Sequence, residues 1–153
     1  MKGECLCGEI KFEIEGELPN FYQCHCSLCR KATGSASNTA TFVKADSFRW
    51  LSGQSKISTF QKPTGYRNDF CSVCGSLVPN QLRDTELVWV PAGLLNDETA
   101  SQISIHLHLS SSASWASESD GCVRLDGGLI VWSHLTRHCR SQVVECRSNL
   151  CHW

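Results

Sequence analysis

The 153-residue chain has no apolar run approaching the roughly 18 residues that a membrane-spanning helix needs. Its opening, Met1-Lys2-Gly3-Glu4-Cys5, lacks the apolar segment of a secretory leader, so a cytoplasmic location is expected. Charge is scarce and balanced: 14 Lys and Arg against 15 Asp and Glu leave a formal net charge of −1. Such a chain offers no electrostatic footprint for nucleic acid or a membrane surface, and neither is expected as a partner. There is no internal repeat, no sustained 3.6-residue periodicity, and no Ser or Asp in a recognisable nucleophile motif. Hydrophobic residues make up 41%, which suits one soluble domain of ordinary size.

Against these absences stands cysteine, at 11 residues. Disulfides belong mainly to exported chains, and an odd count would leave a thiol over. Spacing decides more firmly. Cys5-x-Cys7, Cys24-x-Cys26-x-x-Cys29 and Cys71-x-x-Cys74 group near neighbours, which the fixed separation and dihedral of a disulfide disfavour. The same spacing suits chelation of a metal ion in a reducing compartment.

Patterning predicts a mainly β domain. Ile10, Phe12 and Ile14 alternate with charged residues, as in a strand with one wet face. Strands are also expected over 39–43, 47–51, 55–60 and 87–90, with Pro91 closing the last, while 66–70 lead into Cys71. Gly and Pro mark turns over 16–20 and 63–65. Residues 24–31 read as a compact loop with one helical turn. Ile103, Ile105, Leu107 and Leu109 alternate with Ser104, His106 and His108, predicting a strand whose histidines face solvent, with a role near the Cys24–Cys29 group as the alternative. Residues 110–120 read as a polar loop around Trp115.

Two chelate pairs far apart in sequence make a closed, four-coordinate structural zinc site, and Cys5, Cys7, Cys71 and Cys74 are the natural set. A glycine follows each pair, Gly8 and Gly75, which permits a tight turn beside the sulfurs. Cys24, Cys26 and Cys29 offer three thiolates. Three protein ligands and one open position is the arrangement of a catalytic zinc, where a substrate thiol or water could bind. The bland alternative is a second structural zinc with His25 or a remote residue as fourth ligand. Arg30 and Lys31 follow at once; a solvated position is expected for them, with attraction of an anionic substrate as the alternative.

The three motifs also carry a family resemblance. Gly3-Glu4-Cys5-Leu6-Cys7-Gly8-Glu9-Ile10-Lys11-Phe12, Cys24-His25-Cys26-Ser27-Leu28-Cys29-Arg30-Lys31-Ala32-Thr33-Gly34-Ser35 and Phe70-Cys71-Ser72-Val73-Cys74-Gly75-Ser76 resemble, in this order, the motifs of the glutathione-dependent formaldehyde-activating enzyme (GFA) family, grouped with the centromere protein V type domain. Gly93-Leu94-Leu95-Asn96-Asp97 and the His106–Trp115 spacing resemble weaker family elements. The resemblance implies an Mss4-like fold of small coiled antiparallel sheets and two zinc ions per chain. Cys5, Cys7, Cys71 and Cys74 would hold the structural ion, and Cys24, Cys26 and Cys29 the catalytic one. It further implies a carbon–sulfur lyase joining a thiol, glutathione, to a small aldehyde, formaldehyde, as S-(hydroxymethyl)glutathione. A zinc-stapled protein-binding module without enzymatic activity is the alternative, and thiol redox sensing a third possibility. The resemblance covers about residues 1–120. The zinc domain is expected over 1–130, and 131–153, which carry further Cys, His and Arg, read as a divergent, poorly ordered tail, with a third metal site as the alternative.

Overall fold

The computed structural model describes residues 1–96 and 98–116 and the backbone of Val123–Leu125. In chain order the elements are β1 (Lys2–Glu4), β2 (Lys11–Ile14), β3 (Phe21–Cys24), α1 (Ser27–Thr33), β4 (Asn38–Lys44) and β5 (Phe48–Ser52). They continue with β6 (Ile57–Gln61), β7 (Arg67–Cys71), β8 (Leu77–Val78), β9 (Asn80–Gln81), β10 (Leu87–Pro91), β11 (Ile103–Leu107) and β12 (Val123–Leu125). The protein is mainly β, as its patterning predicts. The expected 131–153 tail lies outside the described residues, as does Asp97.

The chain divides into two compact units. Among described residues, the first comprises Met1–Pro19 and Ala40–Ala100. Its pairings are antiparallel: β2 lies between β1 and β5, β7 between β6 and β8, and β10 pairs with β4 and β9. The alternation in β2 is realised as two buried side chains, Phe12 and Ile14, which join Val43, Val88 and Val90 in one core cluster. Phe12 stacks on Phe48 with ring centroids 5.5 Å apart and meets Trp50 edge-on at 6.2 Å. β1 crosses close over that ring, and a Cβ on Gly3 would lie 2.3 Å from Phe12 Cζ, so only glycine fits there. A second cluster buries Ile10 and Val78 together with Cys5 and Cys71. Two cysteines of this unit are therefore core residues.

On β7, the buried Asp69 carboxylate accepts from Arg67 Nε at 2.8 Å and from Arg67 Nη2 at 2.6 Å. It also accepts from Thr59 Oγ1, on the neighbouring β6, at 2.8 Å. This pairing holds the strand that ends at Cys71.

The second unit contains Asn20–Thr39 and the described residues from Ser101 onward. Here the pairing is parallel: β11 runs beside β3, with Leu107 opposite Cys24 and His106 opposite Gln23, and beside β12 on its other edge. β11 departs from the sequence expectation. It ends at Leu107, a register shift falls between Ile103 and Ile105, and Ser104, Ile105, His106 and Leu107 are all buried. A strand paired on both edges in parallel is commonly covered on both faces, so apolar–polar alternation does not mark a wet side. His106 is accordingly fully buried instead of solvent-facing. His108 lies beyond the strand, at φ +56°.

Candidate metal centres

The first unit brings Cys5, Cys7, Cys71 and Cys74 together, with all four sulfurs within 4.8 Å of one another. Two loops of matching design carry them. In the first, Gly8 N–H donates to Cys5 O at 2.8 Å and Cys5 N–H to Ile10 O at 3.0 Å; in the second, Gly75 N–H donates to Cys71 O at 2.8 Å and Cys71 N–H to Ser76 O at 2.9 Å. Gly8 and Gly75 adopt φ of +75° and +76°, so the tight turn expected at each is left-handed. The Ser76 hydroxyl joins the loops: it accepts from Leu6 N–H at 3.1 Å and lies 3.3 Å from Cys74 Sγ. Ile10 N–H reaches Cys5 Sγ at 3.3 Å, the kind of backbone donor that supports a thiolate ligand.

The sulfur separations fit a cation. Cys5 Sγ and Cys7 Sγ are 3.5 Å apart, and Cys7 Sγ and Cys71 Sγ 3.8 Å. A disulfide would need about 2.05 Å. A tetrahedron of thiolates at the zinc–sulfur distance has edges of about 3.8 Å. All seven cysteines of the three motifs are free thiols.

The second unit gathers Cys24, Cys26 and Cys29, again within 4.8 Å. Each comes from a different local feature. Cys24 ends β3, Cys26 is the N-cap of α1, and Cys29 lies in the first turn of that helix. Cys29 N–H donates to Cys26 Sγ at 3.4 Å, so the sulfur replaces the usual oxygen cap. Gly34, at φ +62°, closes the helix by donating to Arg30 O. The expected single helical turn is thus a capped helix of seven residues.

With three sulfurs so close, one negative charge is shared. Hydrogen bonds from Cys24 and Cys29, with backbone donors at the helix start, lower the Cys26 pKa to about 2. Donating to Cys26 pushes Cys24 up to about 12. Hydrogen bonding to Cys24 and Cys26, together with burial, pushes Cys29 upward as well. Three thiolates here need a cation among them, which is the donor chemistry of a soft divalent metal site. In the first cluster the Ser76 hydroxyl and backbone lower Cys74 to about 6. Cys7 feels a lowering hydrogen bond from the Glu9 backbone, but desolvation and its sulfur neighbours raise it to about 12.

Among the described residues, no fourth Cys, His, Asp or Glu joins the three-thiol cluster. His25, the adjacent alternative, turns elsewhere: its Nε2 lies 2.9 Å from His106 Nδ1, and both rings are fully buried. Cys26 is extended at ψ 156°, and along extended backbone neighbouring side chains point to opposite sides. A residue between two converging sulfurs therefore faces away from them. Arg30 is half-buried, and its Nε donates to His25 O at 3.2 Å, which replaces the solvated position expected of it. Lys31 is exposed as expected.

The profile of the glutathione-dependent formaldehyde-activating enzyme family matches residues 1–111, which include both clusters and His106. The chain belongs to the GFA family. A Halomonas elongata protein bearing the family's name is 31% identical over 84 residues, covering 50% of this chain and 52% of that protein. The chain thus spans about half the length of the curated relative it matches. A crystal structure of a Rhodobacter sphaeroides protein shares the fold, with a TM-score of 0.55 and 24% identity over 68% of this chain and 100% of that one. In this GFA-family chain, the histidine pair is the feature that spacing did not reveal. The signals available were the position of His25 between Cys24 and Cys26, which turns its ring to the opposite side, and the His106–Trp115 spacing.

Proposed function

We propose that this protein is a zinc-dependent carbon–sulfur lyase-type enzyme that joins a glutathione-like thiol to a small aldehyde such as formaldehyde. Two zinc ions per chain are assigned. Cys5, Cys7, Cys71 and Cys74 hold a structural ion; Cys24, Cys26 and Cys29 hold the catalytic one. The observation that carries this reading is the missing fourth ligand: among the described residues, the second cluster is one sulfur short of the first. Family membership supports the substrate class.

In the reaction, the thiol sulfur forms a bond to the aldehyde carbon. The carbon–oxygen double bond becomes single, and the thiol proton passes to that oxygen, so no oxidant or reductant is consumed. Zinc, when bound, supplies positive charge that keeps a substrate thiol deprotonated near neutral pH. Cys24, Cys26 and Cys29 contribute three negative charges, which temper that charge and favour placing a thiolate over strongly polarising a carbonyl. Cys26, fixed at the helix cap, and Cys24, fixed at the strand end, hold the reacting position still, which favours proximity as the main source of rate. No helix among the described residues is long and apolar enough to cross a bilayer.

Formation of the adduct, followed by nuclear magnetic resonance on zinc-loaded protein with glutathione and formaldehyde, tests the proposal. Enzyme-dependent acceleration is expected, with loss in Cys26→Ser. Two bound zinc ions with no acceleration for any thiol and aldehyde would instead favour the binding-module alternative.

A further inference from the structure

The His25–His106 pair lies outside both thiol clusters, yet it is one of the most completely buried polar contacts described. Both residues have 0% exposure, the nitrogens are 2.9 Å apart, and the ring centroids are separated by 5.2 Å with a 34° tilt. Burying two imidazoles costs desolvation that only their hydrogen bonds offset, whereas two apolar rings of the same shape would fill the space at least as well. A direction-specific contact in this place is explained by what it holds. His25 is the residue between Cys24 and Cys26, and three tethers grip it. Its N–H donates to Leu107 O at 3.0 Å, its carbonyl accepts from Arg30 Nε at 3.2 Å, and its ring meets His106. Two of these tethers come from β11, from consecutive residues.

We propose that His106 is a positioning residue for the three-thiol centre. Its hydrogen bond fixes the His25 ring and thereby the turn from which the Cys24 and Cys26 sulfurs converge. The proposal rests on the reading of that cluster as a metal site. Outer groups that orient metal ligands commonly contribute 10–100-fold in affinity, and His106 acts here through the backbone of a residue flanked by two ligands.

Cobalt(II) titration of the full-length apoprotein against a competing chelator tests this. The thiolate-to-cobalt absorption reads each site, and the four-thiol cluster serves as an internal control for folding. His106→Phe is expected to weaken cobalt at the three-thiol centre by about 10–100-fold and leave the four-thiol centre unchanged. His106→Asn, whose amide can occupy the place of Nδ1, is expected to restore most of that affinity. Cobalt affinity equal to wild type at both sites in His106→Phe would overturn the proposal alone. Wild-type protein that takes up one cobalt ion would overturn the metal reading and this role with it. If His106→Phe loses both sites by misfolding, His106→Asn against His106→Gln decides. Weaker binding at the three-thiol centre in the Gln variant alone, with the four-thiol centre intact, supports the role; equal affinity in the two overturns it.

Discussion

The two thiol clusters use the same ligand and differ in how the chain supplies it. Cys7 and Cys71 are 64 residues apart in sequence, and Cys5 and Cys71 belong to a hydrophobic core cluster. A cation bound there would close a long loop and be coupled to burial of the core, so its binding energy would act on folding. The other cluster lies within residues 24–29 and is arranged by a strand end, a helix cap and the first helical turn. Its local framework is already specified by hydrogen bonds, so an ion there has little folding left to do. The contrast teaches that one cluster organises its surroundings and the other is organised by them.

The largest effect expected from breaking this contrast follows Cys71→Ser. Structural zinc couples to folding at roughly 10 kcal/mol, comparable to the whole stability of a domain. The variant should lose its cooperative melt by circular dichroism and its structural zinc. Cys26→Ser should keep the melt while turnover falls by at least about 100-fold, since a direct ligand outweighs the groups that support it. Equal damage to folding in the two variants would erase the distinction.

Proton release sharpens the comparison further. Cys26 is depressed to about 2 and Cys24 raised to about 12, with Cys29 also raised, so near neutrality the three thiols by themselves carry one negative charge and two protons. Metal uptake must expel those two protons. Its affinity should therefore fall by about 100-fold for each unit that pH drops through neutrality, and strengthen as pH rises. Titration with a competing chelator at several pH values measures this, and a slope of one proton would contradict the shared-charge arrangement.

Smaller effects belong to the turns. Gly75, at φ +76°, and Gly34, at φ +62°, have open space for a Cβ, so alanine there meets backbone strain without a clash. Gly75→Ala and Gly34→Ala should each cost about 1 kcal/mol in denaturant unfolding, with both metals retained.

Much of this was legible in the chain itself because chelation and turn chemistry are local. The Cys-x-Cys and Cys-x-x-Cys spacings, the glycines after them and the alternation in β2 depend on neighbouring residues. The β11 strand shows what is not local. Its alternating Ile103, Ile105 and Leu107 suggested a wet face, but parallel neighbours on both edges bury Ser104 and His106. The role of Arg30 was hidden likewise, since its carbonyl acceptor on His25 exists only once the helix has folded back on the preceding turn. Short strands such as β1, β8 and β9 carry too few residues for any period to register; tertiary pairing alone defines them.

The most direct measurement of the central claim is anomalous scattering at the zinc edge from crystals of the intact protein, combined with metal analysis. Two zinc ions per chain are predicted, one bound by the sulfurs of Cys5, Cys7, Cys71 and Cys74, the other by Cys24, Cys26 and Cys29 with a fourth ligand from outside the chain. A single ion, a protein side chain completing the three-thiol centre, or a disulfide among these seven sulfurs would contradict it.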